Sequence, residues 1–307
     1  MSAPSILVTG ATGLQGGAVV DALLADGASV RALVRDPASE SSRKLANRGV
    51  ELVKGHFDDV ASLQSAMKGV RGLFSMQNPP LPHDLDAELR TGRNLVDTAL
   101  ASGIDTFVHT SVARAGDQQS FVGWKDGRWF REYWNSKSGV NDMVRTAGFP
   151  HWVILKPALL MTNYLPPRAR WMWPSLEKSG RIVTAVEMDT KLDMIDPADL
   201  GRFAAAAFAN PDHFHGQEID LAAEALTPVE IAEIISQATG KTVPVVHVTA
   251  EEAKAQGVPP GVVQSEEWDN VEGYKVDLDK AGSYGIKLTT FAVFARKHAS
   301  EFSIGNR

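Results

Sequence analysis

With 307 residues, 44% of them apolar and 22% charged, the chain has the composition of an ordinary globular protein, long for one compact domain and short for two independent ones. A formal net charge of −6 argues against a nucleic-acid surface or an anionic membrane as partner, and the absence of cysteine excludes disulfides, thiol nucleophiles and thiolate metal sites. The N-terminal MSAPSILVTG enters an apolar run with no basic region before it, and no stretch approaches a membrane span. No signal peptide is therefore expected, and a cytoplasmic location is.

The first half alternates strand and helix patterns at short spacing, the signature of parallel βαβ units. Ser5 to Thr9 is the first strand, followed by glycines and a helix from about Gln15 to Ala25. Further strands are expected at Ala28 to Val34, Val50 to Lys54 and Gly72 to Met76, the last cut off by Asn78, Pro79 and Pro80. A helix from about Ala61 to Lys68 precedes that fourth strand. A long helix from about His83 to Ala101 carries an apolar face of Leu85, Leu89, Leu95, Val96 and Leu100. Thr106 to Val112 is a fifth strand, Tyr133 to Thr146 a helix, and Trp152 to Leu155 a sixth strand ended by Pro157.

The second half is less regular. Arg181 to Val186, Glu218 to Leu221 and Val243 to Val248 read as short strands. Pro228 to Thr239 reads as a helix with Thr227 as N-cap and Gly240 as C-cap. The expected architecture is a doubly wound parallel-sheet α/β Rossmann domain over residues 1–157, with returning segments from about 181–222. A smaller α/β lobe, residues 158–307, is interwoven with it.

Gly10, Gly13 and Gly16 lie between a predicted strand and a predicted helix, where a pyrophosphate rests on backbone N–H groups and the positive helix end. Gly10 permits the tight turn, Gly13 the approach of the phosphates and Gly16 close helix–strand packing. Thr12, Leu14 and Gln15 belong to the same loop. The residue after the second strand decides which dinucleotide is held: an acid suits the ribose hydroxyls of NAD, a cation the 2′-phosphate of NADP. Arg35 occupies that position and favours NADP, with Arg43 and Lys44 nearby, although Asp36 follows directly. After the third strand, Phe57 is placed as an apolar wall for the adenine and Asp58 as an acceptor. Asp59 reads equally as a helix cap, and His56 as a turn residue.

The phrases GATGLQGG, ALVRDP, GHFDD, FVHTS, SKSGVNDMVRTAG, ILKPALLMTNYL, LDMIDPADLGRF and TPVEIAEIISQATGKTVPV, in that order, resemble the NmrA-like branch of the atypical short-chain dehydrogenase/reductase superfamily. The likeness runs to about residue 290; His56 departs from it, standing where an acid is common. The resemblance implies an NADP(H)-binding Rossmann domain, with Met76, Gln77, Thr110, Lys137 and Pro157 added to the cofactor contacts. It also implies a smaller lobe that bounds a substrate cleft. Some members of that family are quinone or carbonyl reductases; others bind NADP(H) as regulators or redox sensors.

Tyr133 and Lys137, four apart at the start of a predicted helix, share one face. In the wider superfamily such a pair is catalytic: the lysine binds the nicotinamide ribose and lowers the tyrosine pKa, and the phenol donates a proton as hydride arrives. Ser111, with Thr110 as a close alternative, fits the slot of the serine that polarises the substrate oxygen. The competing reading packs Tyr133 against Trp134 or Phe130 and leaves Lys137 to hold the ribose. Sensor-type members commonly lack the tyrosine, so its presence favours an enzyme.

Six of the seven tryptophans lie between positions 124 and 173. Trp129 and Trp171 are the candidate walls of a pocket for a flat or apolar substrate; the alternative is that these rings pack the small lobe. The histidines show no metal spacing, and Asp196 and Asp199 read as structural. Three functions stand: an NADPH-dependent reductase of a carbonyl or quinone-type substrate, an NADP(H)-binding regulator with a protein partner, or an enzyme that uses NADP without net reduction. Monomer and homodimer are both compatible with the sequence.

Overall fold

Ser5–Val8 (β1), Ser29–Val34 (β2), Glu51–Lys54 (β3), Gly72–Ser75 (β4), Thr106–Thr110 (β5) and His151–Pro157 (β6) are short runs, and those at the sheet centre are buried along nearly their whole length. Strands covered by helices on both faces need no alternation of polar and apolar residues. They form a parallel sheet in the order β6-β5-β4-β1-β2-β3, and Gln217–Leu221 joins beyond β6 to make seven strands. In register, Val8 of β1 stands opposite Ala32 on one side and Phe74 on the other. The strand order therefore reverses at β1, and a doubly wound sheet opens its ligand crevice at such a point.

This computed structural model describes residues 5–305; the N-terminal reading above falls partly on residues 1–4, which lie outside the described residues. The chain divides into two compact units. One contains residues up to 119, 130–157 and 197–220; the other contains 120–129, 158–196 and the residues from 221 on. No helix of the described residues is long and apolar enough to cross a membrane.

In the first unit, Leu14–Ala25 (α1), Glu40–Ala46 (α2), Val60–Met67 (α3), Ala87–Ala101 (α4) and Arg131–Thr146 (α5) connect the strands. One core cluster joins Leu7, Leu33, Leu73, Phe107 and Ile154 of the sheet to Leu63 of α3, Leu95 of α4 and Val140 of α5. The long helix starts at Ala87, not His83, because residues 81–86 close on themselves through a Leu81–Asp84 bridge. Its buried face is Glu88, Gly92, Leu95, Val96 and Ala99, while Leu85 and Leu100 are exposed. The predicted apolar face thus had its ends misplaced.

The second unit carries a three-stranded sheet, in which Leu192–Ile195 lies between Glu224–Leu226 and Leu159–Leu160, and a parallel pair, Val245–His247 with Ile182–Thr184. Its core gathers Tyr164, Trp173, Leu176, Met194, Ile231, Phe291 and Phe294. The helix Pro228–Thr239 begins as read, with a capping box between Thr227 and Glu230.

On the other face of the sheet, α1 packs on the helix Pro197–Ala209 at Gly201. A Cβ added there would lie 2.3 Å from the carbonyl oxygen of Ala18 and 2.7 Å from its carbon, both backbone atoms. Neither can rotate away, so Gly201→Ala must push two helices apart. The expected cost is about 1–3 kcal/mol of stability, read as a thermal midpoint lower by several degrees. An unchanged midpoint would mean that the contact is looser than described.

Candidate functional site

The site is built first from backbone. Thr9 follows β1; its Oγ1 accepts the Met76 N–H at 2.8 Å and donates to the Phe74 carbonyl at 3.1 Å, which ties the loop after β1 to the loop after β4. Gly10 has φ +63° and leaves room for the Met76 methyl, which a Cβ would meet at 2.3 Å. Gly16 lies against Gly10, whose carbonyl oxygen would stand 2.3 Å from an added Cβ. Gly13 caps α1 in an extended conformation without a side-chain hydrogen bond, and the first turn of α1 holds no acid. The amides at that helix end are thus left to an anion, which the helix dipole also favours.

Around this loop lies a cavity of about 230 Å³. Of the residues expected at a cofactor, it is lined by Gly10, Thr12, Gly13, Arg35, Phe57 and Met76; His56 and Asn78 also reach it, and sequence reasoning had not placed them there. Arg35 makes no ion pair among the described residues. Asp36, its rival at the deciding position, is occupied elsewhere: its carboxylate accepts the Ala38 N–H at 2.9 Å as the chain turns into α2, and it does not line the cavity. Lys44 pairs with Glu40 at 2.8 Å. Asp58 is held by Arg90 at 2.8 Å, away from the cavity lining, whereas the Phe57 carbonyl accepts from Asn94 at 3.0 Å.

The other expected cofactor residues flank this space. Leu14, Gln15 and Gly16 form the first turn of α1, and Gln15 Oε1 accepts the Thr110 hydroxyl at 2.7 Å, joining α1 to the end of β5. Gln77 is buried; its Nε2 donates to Ser75 Oγ at 2.9 Å, and its Oε1 has no partner. Pro157 ends β6 with its carbonyl accepting the Ala113 N–H at 3.1 Å. Ser111, just past β5, donates its N–H to the Leu155 carbonyl at 2.8 Å, while its buried hydroxyl has no hydrogen-bond partner among the described residues. An orphaned buried hydroxyl is uncommon in a folded protein and suits a place where substrate completes the bonding.

Tyr133 and Lys137 both lie in the first half of α5 and the lysine ammonium sits 5.7 Å from the centre of the tyrosine ring. The ammonium is held by a residue that the sequence reading missed. Glu88, almost fully buried on α4, accepts from Lys137 Nζ at 2.6 Å through Oε1 and from Ser136 Oγ at 2.6 Å through Oε2. Charge-assisted bonds of this length are strong. Glu88 offsets the lysine charge, and the Tyr133 phenol is raised above the ordinary tyrosine range, first by burial and then by the Glu88 carboxylate. This reverses the expectation that Lys137 lowers it. Trp134 does pack edge-on against Tyr133, with centroids 5.4 Å apart. The available signal for Glu88 was an acid standing seven residues before Leu95, on the apolar stripe of the same helix.

Beside this pair, His109 is buried with Nδ1 at 3.1 Å from Ser75 Oγ. Burial, and then the charge of Lys137, pushes its pKa down to about 3, so the ring stays neutral near physiological pH.

The candidate pocket tryptophans differ in exposure. Trp129 is buried, its indole N–H donates to the Val122 carbonyl at 2.8 Å, and the Arg128 guanidinium covers its ring. Trp171 is 49% exposed. Trp173 instead lines a cavity within the second unit. Asp199, read as structural, is buried in the first turn of its helix and pairs with Arg202.

The model of the NmrA-like family matches residues 2–288. An NAD(P)H azoreductase of Xenophilus azovorans is 28% identical, over 97% of this chain and 99% of its own length. Among solved structures, the triphenylmethane reductase of Citrobacter sp., also known as a complex with NADP(H), superposes with a TM-score of 0.78 at 24% identity, covering 96% of this chain and 99% of that one. NmrA, a negative transcriptional regulator, superposes with a TM-score of 0.76 at 19% identity, covering 97% and 95%. The same fold therefore serves proteins named as reductases and a protein named as a regulator.

The neutral histidine gives this unit a pH signature. His109 titrates at about 3 when folded against an ordinary value of 6.5, so the unfolded chain takes up its proton first. Its contribution to stability is complete above about pH 6.5 and is lost as pH falls from there towards 3. In urea titrations across this range, His109→Gln should show a shallower acid loss than the wild type. Parallel curves would contradict the assignment.

Proposed function

The chain belongs to the NmrA-like family, and from that premise we propose that it is an NADPH-dependent oxidoreductase that reduces a small carbonyl or quinone-type substrate of aromatic or apolar character. The observation that carries this reading is that one unit holds an anion-ready glycine loop, Arg35 on the same cavity, a buried serine hydroxyl and a Tyr133–Lys137 pair. When bound, NADPH supplies the hydride. The first amides of α1 receive the pyrophosphate, and Gly13, without a side chain, leaves that helix end uncapped for it. Arg35, free of any ion pair among the described residues, takes the 2′-phosphate with paired N–H donors. Phe57 and Met76 bound the adenosine end.

The remaining residues manage the proton. Reduction of a carbonyl needs one proton delivered to oxygen, so the donor must be protonated before the reaction. Tyr133, raised by burial and by Glu88, meets that requirement across the physiological range. A phenol raised in this way is a weak acid, so the phenolate left by the transfer needs a cation beside it. Ser111 donates to the same substrate oxygen. Lys137 holds the nicotinamide ribose in a rotamer set by Glu88 and presents its charge near the phenolate that forms when Tyr133 gives up its proton. The azoreductase name of a full-length relative supports the reaction class.

Two measurements test the reading. NADPH oxidation against quinones, aromatic aldehydes and aromatic ketones should show multiple turnovers, with kcat reduced by about 10² or more in Tyr133→Phe. Tight NADPH binding without turnover on any of these compounds would move the assignment to a regulator. Separately, Arg35→Ala should weaken NADPH binding by about tenfold or more and leave NADH binding unchanged, as loss of a charge-assisted phosphate contact requires. Equal losses for both cofactors would remove Arg35 from that role.

A further inference from the structure

The second unit contains a cavity of about 120 Å³ that the reduction reading does not use. Its walls include Met172, Trp173, Leu192, Val262 and Tyr274, and two carboxyl groups, Glu266 and Asp269, open onto it. Both acids lie on the helix Pro260–Val271 three positions apart, with Val262 one turn before Glu266, so a single helix face supplies this side of the cavity.

The carboxyls are placed unusually for structural groups. Glu266 is 3% exposed; Oε1 accepts the Thr184 hydroxyl at 2.8 Å and Oε2 accepts the Ala185 N–H at 2.9 Å. These bonds fix its orientation, yet burial still pushes its pKa up to about 7. Asp269 is raised well above the carboxylate range by burial, then by Glu266 and Asp193. Among the described residues no lysine or arginine side chain pairs with any of the three, and they are not grouped so as to hold a metal ion. Burial holds these carboxyls toward their neutral form, offset at Glu266 by the nearby His247 ring, and an entering cation favours their ionised form.

A second observation concerns a wall of the same cavity. Trp173 is 3% exposed, stacked flat on Tyr164 with centroids 5.0 Å apart, and its indole N–H has no acceptor. A buried donor without a partner is uncommon unless something else completes it. The cavity thus offers apolar and aromatic walls, the carboxyls of Glu266 and Asp269, the indole N–H of Trp173, and the neutral polar side chains of Asn163 and Ser265. Its size is close to that of the apolar cavities of roughly 150 Å³ that hold a benzene ring.

We propose that this cavity is a binding site for a small protonated amine on a flat apolar group, with the ammonium against Glu266 and Asp269 and an acceptor atom on the Trp173 indole N–H. The aromatic wall favours the same charge, because a cation is attracted to the ring face. Selectivity rests on charge: a neutral molecule of equal shape fills the space but leaves the carboxyls unpaired.

The test uses the full chain and calorimetry near neutral pH with para-methoxybenzylammonium, and with para-methoxybenzyl alcohol as its neutral twin. The amine should saturate one site per chain and bind about tenfold tighter or more than the alcohol. Asp269→Asn should bring the amine down to the affinity of the alcohol while keeping or raising the thermal midpoint, since it replaces a carboxyl that is costly to ionise there with a neutral amide of the same shape. Trp173→Phe should weaken both compounds a few-fold and preserve their ratio. NADPH binding, measured on the same samples, should not change in either variant, so failure here is separable from failure of the reductase reading. Equal binding of the two compounds, no binding of the amine, or an unaltered preference in Asp269→Asn would each overturn the site.

Discussion

Helix α1 can lie where it does only because two of its contacts are made without side chains. At its start, Gly16 meets the Gly10 carbonyl at a distance no Cβ tolerates; further along, the Ala18 carbonyl meets Gly201 of the helix Pro197–Ala209 in the same way. These contacts bring α1 down onto the sheet at β1, where the strand order reverses. The open amides of its first turn consequently face the crevice rather than a neighbouring helix. The anion site is therefore a consequence of packing: remove either glycine contact and the helix end moves with the helix. Gly13, with an extended backbone and no side chain, leaves that end uncapped from within the chain.

The electrostatics of the other half of the first unit follow from a single buried carboxylate. Glu88 takes the Lys137 ammonium on one oxygen and the Ser136 hydroxyl on the other, so the lysine acts as half of a pair. Two neighbours respond in the expected directions. The Tyr133 phenol is harder to ionise, and His109, pressed by burial and by the lysine, cannot hold a proton. The result is one protonated phenol and one neutral imidazole near a locked cation. That inventory of protons suits delivery of a proton to substrate more than removal of one.

Much of the fold was legible because it is written in short-range rules. Apolar runs broken by glycines placed the parallel strands to within a residue or two, and the Thr227–Pro228 start with the Gly240 stop marked a helix end to end. The lining of the glycine-loop cavity was readable in part: Gly10, Thr12, Gly13, Arg35 and Phe57 from the loop and the two strand ends, and Met76 from the family resemblance alone. What escaped depended on contacts distant in sequence. The start of α4 is set by Arg90, which forks onto Asp84 and reaches Asp58, and no local propensity reports that. Leu192–Ile195 is a strand whose buried Asp193 interrupts the apolar run that would have announced it. The helix Pro260–Val271 carries Glu266 on its buried side, which blurs its period.

Glu88, Asp193 and Glu266 share a lesson about how chemistry hides in sequence. Each is an acid at a position where the pattern of its element calls for an apolar side chain. Burial of such a group rarely stabilises a fold, since even a well-made buried ion pair contributes little over an apolar replacement. Glu88 has the bonds that make its burial tolerable, and in return Lys137 is held in one rotamer beside Tyr133. Among the described residues Glu266 has two neutral donors but no lysine or arginine partner, and its neighbour Asp269 has neither. The same residue type in the same kind of place thus marks a completed interaction in the first unit and an incomplete one in the second. The acid that breaks an apolar pattern is the feature to follow in both, and the difference in its partners separates a residue that positions from one that awaits a ligand.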